Sequence, residues 1–327
     1  MRLIRILLAV AVTCTAVSCD APLFYDPYNV QGQTAHWQTV SVPHFTYHYL
    51  ADPADEDWSR QIIRFDGSKY RCSPLDIEAA AGEYASHMER WYEQLRLLFG
   101  TDVARDTPIV VYNYPDMETQ HELIGTWAAQ SIEPCAPGVG FPIIHLGSEG
   151  SCGHELIHLF QTTLSNAPAM LSEGMAVALA GPSWQWADDS HDSISYSDLN
   201  TLPVGTSPAR GAPRWQNKDL HRQAAKAIAV NDTGISIPVP PIAGLRPSDL
   251  LYWGSNLSRQ WYLYCVGGSF VHFLIETYGW EPFLDMYRHV GSSTLVGSDF
   301  EAEFQRVYRK RVVQVEQDWI DMLEALQ

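Results

Sequence analysis

Basic residues are few in this chain. Lysine and arginine total 21 against 38 aspartates and glutamates, a formal charge of −17 at neutral pH. A surface this acidic repels phosphate backbones and anionic lipid headgroups, which sets nucleic-acid binding aside. Cysteine is sparse too. Its 6 copies include no C-x-x-C pair, so a cysteine-built zinc site is not expected. There is no internal repeat and no long low-complexity tract. With 46% hydrophobic content over 327 residues, the chain can bury a sizeable core.

At the N-terminus, Met1-Arg2-Leu3-Ile4-Arg5 is basic and the apolar run Ile6 to Val12 follows it. That run is too short to span a bilayer and reads as a secretory signal over 1–18. Its end, Ala16-Val17-Ser18-Cys19, resembles a bacterial lipobox, with Ala16 where leucine is usual. The resemblance implies a lipidated Cys19 and an exported protein anchored in the bacterial cell envelope. Ordinary cleavage after Ser18 is the alternative. Loss of Arg2 and Arg5 takes the charge from −17 to −19. Residues 19–36, rich in Pro, Asn and Gln, read as a tether.

Two of the 12 histidines lie in Gly153-His154-Glu155-Leu156-Ile157-His158-Leu159-Phe160. Residues four apart stand on one face of a helix, so His154 and His158 can share one small metal ion. Zn2+ suits such nitrogen ligands. Glu155, beside the first histidine, can reach a water on that ion and act as general base. A decoy shows that the pattern needs its second histidine: Gln120-His121-Glu122-Leu123-Ile124-Gly125 starts alike and ends in glycine.

A third ligand is sought downstream. Ala169 to Ala180 is small and apolar, framed by Pro168 and Gly181-Pro182, and reads as a buried helix. A carboxylate in such a run is costly unless paired or metal-bound. Glu173 is the natural third ligand, with helix capping or an arginine partner as the ordinary alternative. Gly174 is expected to let this helix approach the H-E-x-x-H helix closely.

H-E-L-I-H followed by L-S-E-G-M-A resembles the gluzincin metallopeptidases, in particular their compact peptidase-MA-like branch. Met170 stands where that branch often has an aromatic residue. The resemblance implies that His154, His158 and Glu173 hold zinc and that Glu155 is the catalytic base. Tyr264-Cys265-Val266-Gly267-Gly268 through Leu274, then Tyr278-Gly279-Trp280, is similar to a second gluzincin helix. By that similarity Tyr264 would donate its hydroxyl to the oxyanion. A core tyrosine is the ordinary alternative, and Tyr262 would face another side.

Removing Cys14 with the signal and lipidating Cys19 leaves Cys72, Cys135, Cys152 and Cys265, which permit three pairings. Cys152 precedes the metal helix and Cys265 follows Tyr264, which favours Cys152–Cys265 with Cys72–Cys135. Elsewhere, Thr39 to Leu50 alternates like a strand. His44 and His48 within it are expected to be surface or cross-strand residues. Ile77 to Phe99 reads as an amphipathic helix stopped by Gly100. Ile109 to Tyr114 reads as a buried strand and Val139 to Leu146 as an edge strand marked by Pro142. Such an edge would pair with substrate backbone. Residues 183–250 read as an insertion with one helix near Lys218 to Val230. Asp188 to Asp192 reads as an acidic turn, with calcium binding as the alternative. His191 and His221 are outside candidates for a second oxyanion or proton donor. Phe300 to Leu326 is amphipathic and completes a helical lobe.

The expected fold is α+β and gluzincin-like: a mixed-sheet lobe with the metal helix over 37–160, and a helical lobe over 161–327. The expected activity is zinc-dependent hydrolysis of peptide or protein substrates, more readily endo than exo. A zinc hydrolase of cell-wall material and a catalytically silent surface binder are the alternatives. The sequence leaves oligomeric state open.

Overall fold

The computed structural model describes residues 37–50, 62–65, 68–71, 77–114, 117–125, 130–132, 142–146, 152–165, 167–180, 217–230, 245–251, 262–290 and 298–326. The signal, Cys19 and the tether lie outside these, as do His191 and the acidic turn. Among the described residues no helix is long and apolar enough to cross a membrane.

The alternating stretch at the start forms two strands. β1 (Trp37–Val42) and β2 (Phe45–Leu50) pair antiparallel, with Val42 opposite Phe45 and Val40 opposite Tyr47. Pro43 and His44 make the turn, where proline's fixed φ is an asset. β2 pairs parallel with β5 (Ile109–Asn113), and β5 parallel with β7 (Ile143–Leu146). β6 (Gln130–Ile132) pairs antiparallel with β7, completing the order β1-β2-β5-β7-β6. A separate hairpin joins β3 (Ile62–Phe65) and β4 (Ser68–Arg71).

β7 is therefore not the edge that Pro142 suggested. Pro142 sits just before the strand, where no ladder N–H is required of it, and its carbonyl accepts from Val110 N at 2.9 Å. Among the described residues the edge on that side is β6.

The sheet has two faces because side chains alternate along each strand. Phe45, Tyr47, Ile109 and Val111 point into the main core. They meet α1 (Ile77–Phe99) through Tyr47–Tyr84 and Phe45–Tyr92 ring contacts at 5.3 and 5.7 Å. Gly100, at φ 68°, ends this helix as expected. On the opposite face Tyr112 stacks on His48 and His145, and a smaller cluster collects Tyr114, Ile143 and Trp37. Leu123 and Ile124 of α2 (Met117–Ile124) pack against it. This helix carries the decoy motif, and Gly125, at φ 76°, is its stop.

Among the described residues the remaining α-helices are α3 (Cys152–Gln161), α4 (Ala169–Ala180), α5 (Asn217–Val230), α6 (Gly268–Tyr278), α7 (Trp280–Val290), α8 (Ser298–Tyr308) and α9 (Val312–Glu324). A π turn, Leu263–Gly267, leads into α6. One continuous core runs from Phe45 to Leu323. Trp280 joins sheet side to helical side: its Nε1 donates to Leu98 O at 3.1 Å and its ring meets Phe99. The architecture is α+β.

Candidate metal centre

The rotation of α3 is fixed by its apolar face. Leu156, Ile157 and Phe160 are fully buried, and Phe160 wedges between Tyr92 and Phe99, with ring centroids 5.4 and 5.2 Å away. His154 and His158 consequently turn together toward α4. At the end of α3, the Thr162 and Thr163 hydroxyls each donate at 2.8 Å to the Leu159 and Phe160 carbonyls, satisfying acceptors the helix leaves open. A short loop then leads to α4, whose first turn is anchored on the Pro168 carbonyl.

α4 brings Glu173 over the two histidines. Its Oε2 lies 3.2 Å from His154 Nε2 and 3.3 Å from His158 Nε2, and the two Nε2 atoms are 3.0 Å apart. Donors held at roughly 2.0–2.1 Å by a tetrahedral ion stand about 3.3 Å from one another. The triangle therefore has the dimensions of three zinc ligands. These residues fit the metal.

Burial favours a neutral His158, but the charge and hydrogen bond of Glu173 outweigh it and lift the imidazole to about 9. Burial likewise opposes ionisation of Glu173, and the two histidines overcome it, holding the carboxyl well below its usual range. A cation bound here would take the place of the shared proton.

Sequence reasoning missed the support of His158. Gln161, three residues on and buried, donates its Nε2 to Ser172 O at 2.8 Å. Its Oε1 accepts from Ser172 Oγ at 2.8 Å and lies 2.8 Å from His158 Nδ1. An amide oxygen can only accept, so Nδ1 is the donor, which leaves the Nε2 of His158 facing His154 and Glu173. The i, i+3 spacing from His158 to Gln161 was the available signal.

A scan against protein-family models gives no match, and neither does a search of curated proteins.

The other site residues fall as follows. Glu155 is buried on α3, close enough for its charge to act on His158. Tyr264, in the π turn, sets its ring edge-on to His154 with centroids 5.6 Å apart. Three segments of expected chemistry, α3, α4 and the π turn, thus meet at one place. The approach that Gly174 permits is to the π turn and α6, not to α3. A Cβ at Gly174 would lie 2.7 Å from Gly267 O and 2.7 Å from Val271 Cγ2. Cys265 is buried in the same turn; Cys72, Cys135 and the side chain of Cys152 lie outside the described residues, and both favoured pairings with them.

His221 is not at this centre. Its Nδ1 lies 2.7 Å from Ser269 Oγ, farther along α6. His48 is a cross-strand residue, 2.9 Å from Thr39 Oγ1. His44 pairs with Glu89 and stacks on Tyr92.

Proposed function

We propose that this protein is a gluzincin-like, zinc-dependent peptide-bond hydrolase, exported and anchored to the cell envelope through Cys19. The observation that carries the reading is the triangle of His154 Nε2, His158 Nε2 and Glu173 Oε2, with sides of 3.0–3.3 Å. These three would hold the ion. Bound there, zinc would supply Lewis acidity, making a water acidic and polarising the scissile carbonyl.

The chain's own residues do the rest. Glu155 accepts the proton of the attacking water and later delivers it to the leaving amine. Tyr264 donates its hydroxyl where oxyanion charge develops, in a site where burial strengthens the interaction. Gln161 and Ser172 keep His158 in the tautomer that offers Nε2. β6 packs on α3 and has β7 on one side only among the described residues. An extended peptide could add to its outer edge through main-chain hydrogen bonds, which favours polypeptide as substrate.

The test is zinc content and peptide cleavage in purified parent, Glu155→Gln and Glu173→Ala proteins. The parent is expected to carry zinc and cut a peptide library. Glu155→Gln should retain the metal and lose about a thousandfold or more in turnover. Glu173→Ala should lose metal affinity. Undiminished cleavage by Glu155→Gln would end this mechanism.

A further inference from the structure

A second group of ligand-type side chains lies along α6, away from the first. His272 and Glu276 are four residues apart on that helix, and His221 reaches them from α5. Glu276 Oε2 is 3.3 Å from His272 Nδ1 and 3.6 Å from His221 Nε2. The three donor atoms all lie within 4.8 Å of one another. The two rings meet edge-on with centroids 5.3 Å apart.

Three features distinguish this group from a chance meeting of polar residues. His272 Nδ1 is buried, and its contact with the Glu276 carboxylate at 3.3 Å falls short of a well-aligned hydrogen bond. A buried nitrogen so poorly satisfied gains if an ion takes up its lone pair. His221 is held from behind: Ser269 Oγ, itself accepting from Trp319 Nε1 at 3.0 Å, lies against its Nδ1 and leaves Nε2 directed at the other two donors. Such a support is typical of a metal-bound imidazole. The third feature is the gradation of exposure, from buried His221 through His272 to a half-exposed Glu276, which leaves one side open for water ligands.

We infer that His221, His272 and Glu276 form a second cation site, for a divalent transition ion of the kind imidazole prefers, zinc foremost. Its ligand triangle is wider than the first, so it binds more weakly and exchanges with solvent. It acts as a clamp. An ion there ties α5 to α6, the helix that continues from the turn carrying Tyr264. His44 with Glu89 and Glu93 makes a third group of ligand type. There the His44 ring and its backbone N–H are both already engaged by Glu89, which leaves less for an ion.

The experiment is equilibrium dialysis of the full-length protein against zinc, with metal per chain read by mass spectrometry and unfolding temperature read in parallel. The variants are Glu173→Ala, His272→Ala, Glu276→Gln and His44→Ala. The parent should show a tight equivalent and a weaker second one. Glu173→Ala should keep the weaker equivalent, which separates this inference from the function proposed above. His272→Ala should lose it, and so should Glu276→Gln, whose half-exposed position spares the fold if His272→Ala proves unstable. Saturation of the parent at a single equivalent that Glu173→Ala removes would overturn the inference. So would a second equivalent that survives Glu276→Gln and vanishes in His44→Ala.

Discussion

Gln161 touches no reacting atom, yet it decides which nitrogen His158 presents. Replacing it with alanine leaves His158 Nδ1 without its acceptor and frees the ring to change tautomer or rotate. Loss of such a support weakens metal binding by about 10–100-fold. Competition with a chromogenic chelator should show a drop of that size for Gln161→Ala, with α3 still folded; unchanged affinity would mean that packing alone orients the ring. How much of the site was readable follows from the same local geometry. His154 and His158 are four apart, so helix geometry alone puts them on one face. Glu173 was readable because a carboxylate among alanines and methionines demands a partner. The contacts of His221 with Ser269 and Glu276 span 48 and 55 residues, and no local periodicity encodes a meeting over that distance.

At the scale of elements, the crossing of α4 with the π turn is the joint most open to test. Gly174→Ala places a methyl group 2.7 Å from a backbone oxygen that cannot rotate away. Overpacking of this kind costs about 1–3 kcal/mol. A urea titration should show that loss, and turnover should fall as well, because Glu173 and Tyr264 sit on the two parts being forced apart. Stability equal to the parent's would show that the helices can separate freely. Strand boundaries illustrate why elements were harder to read than the histidine pair of α3. The apolar residues of the first hairpin shift from even positions (Val40, Val42) to odd ones (Phe45, Tyr47, Tyr49) at Pro43-His44. That slip marked the turn, but the alternation resumes at once and masks it. β6 has three residues and no alternation to detect; its pairing with β7 is long-range and displaces the expected edge.

Across the whole molecule, tyrosine supplies much of the interior. Burial, helped by the charge of Glu78, raises the Tyr49 phenol to about 12. Burial and then the hydrogen bond to Asp102 hold Tyr92 higher still, and burial with the neighbouring Tyr278 does so for Tyr308. A phenol whose folded pKa exceeds its unfolded value of 10 contributes stability that is complete below pH 10 and lost as pH rises through the folded value. Alkali should therefore unfold the protein cooperatively. Tyrosinate absorbance and circular dichroism, followed together above pH 10, should show a shared step. Smooth ionisation of every tyrosine near 10 with the fold intact would contradict the burial of these rings.

The π turn at Leu263–Gly267 holds one residue more than an α turn over the same span. Removing Val266 would close the wide turn to α geometry and shift Tyr264 relative to the His154 ring, whose centroid now lies 5.6 Å away. A single codon thus separates an unbroken α-helix from one that widens to set a phenol beside His154.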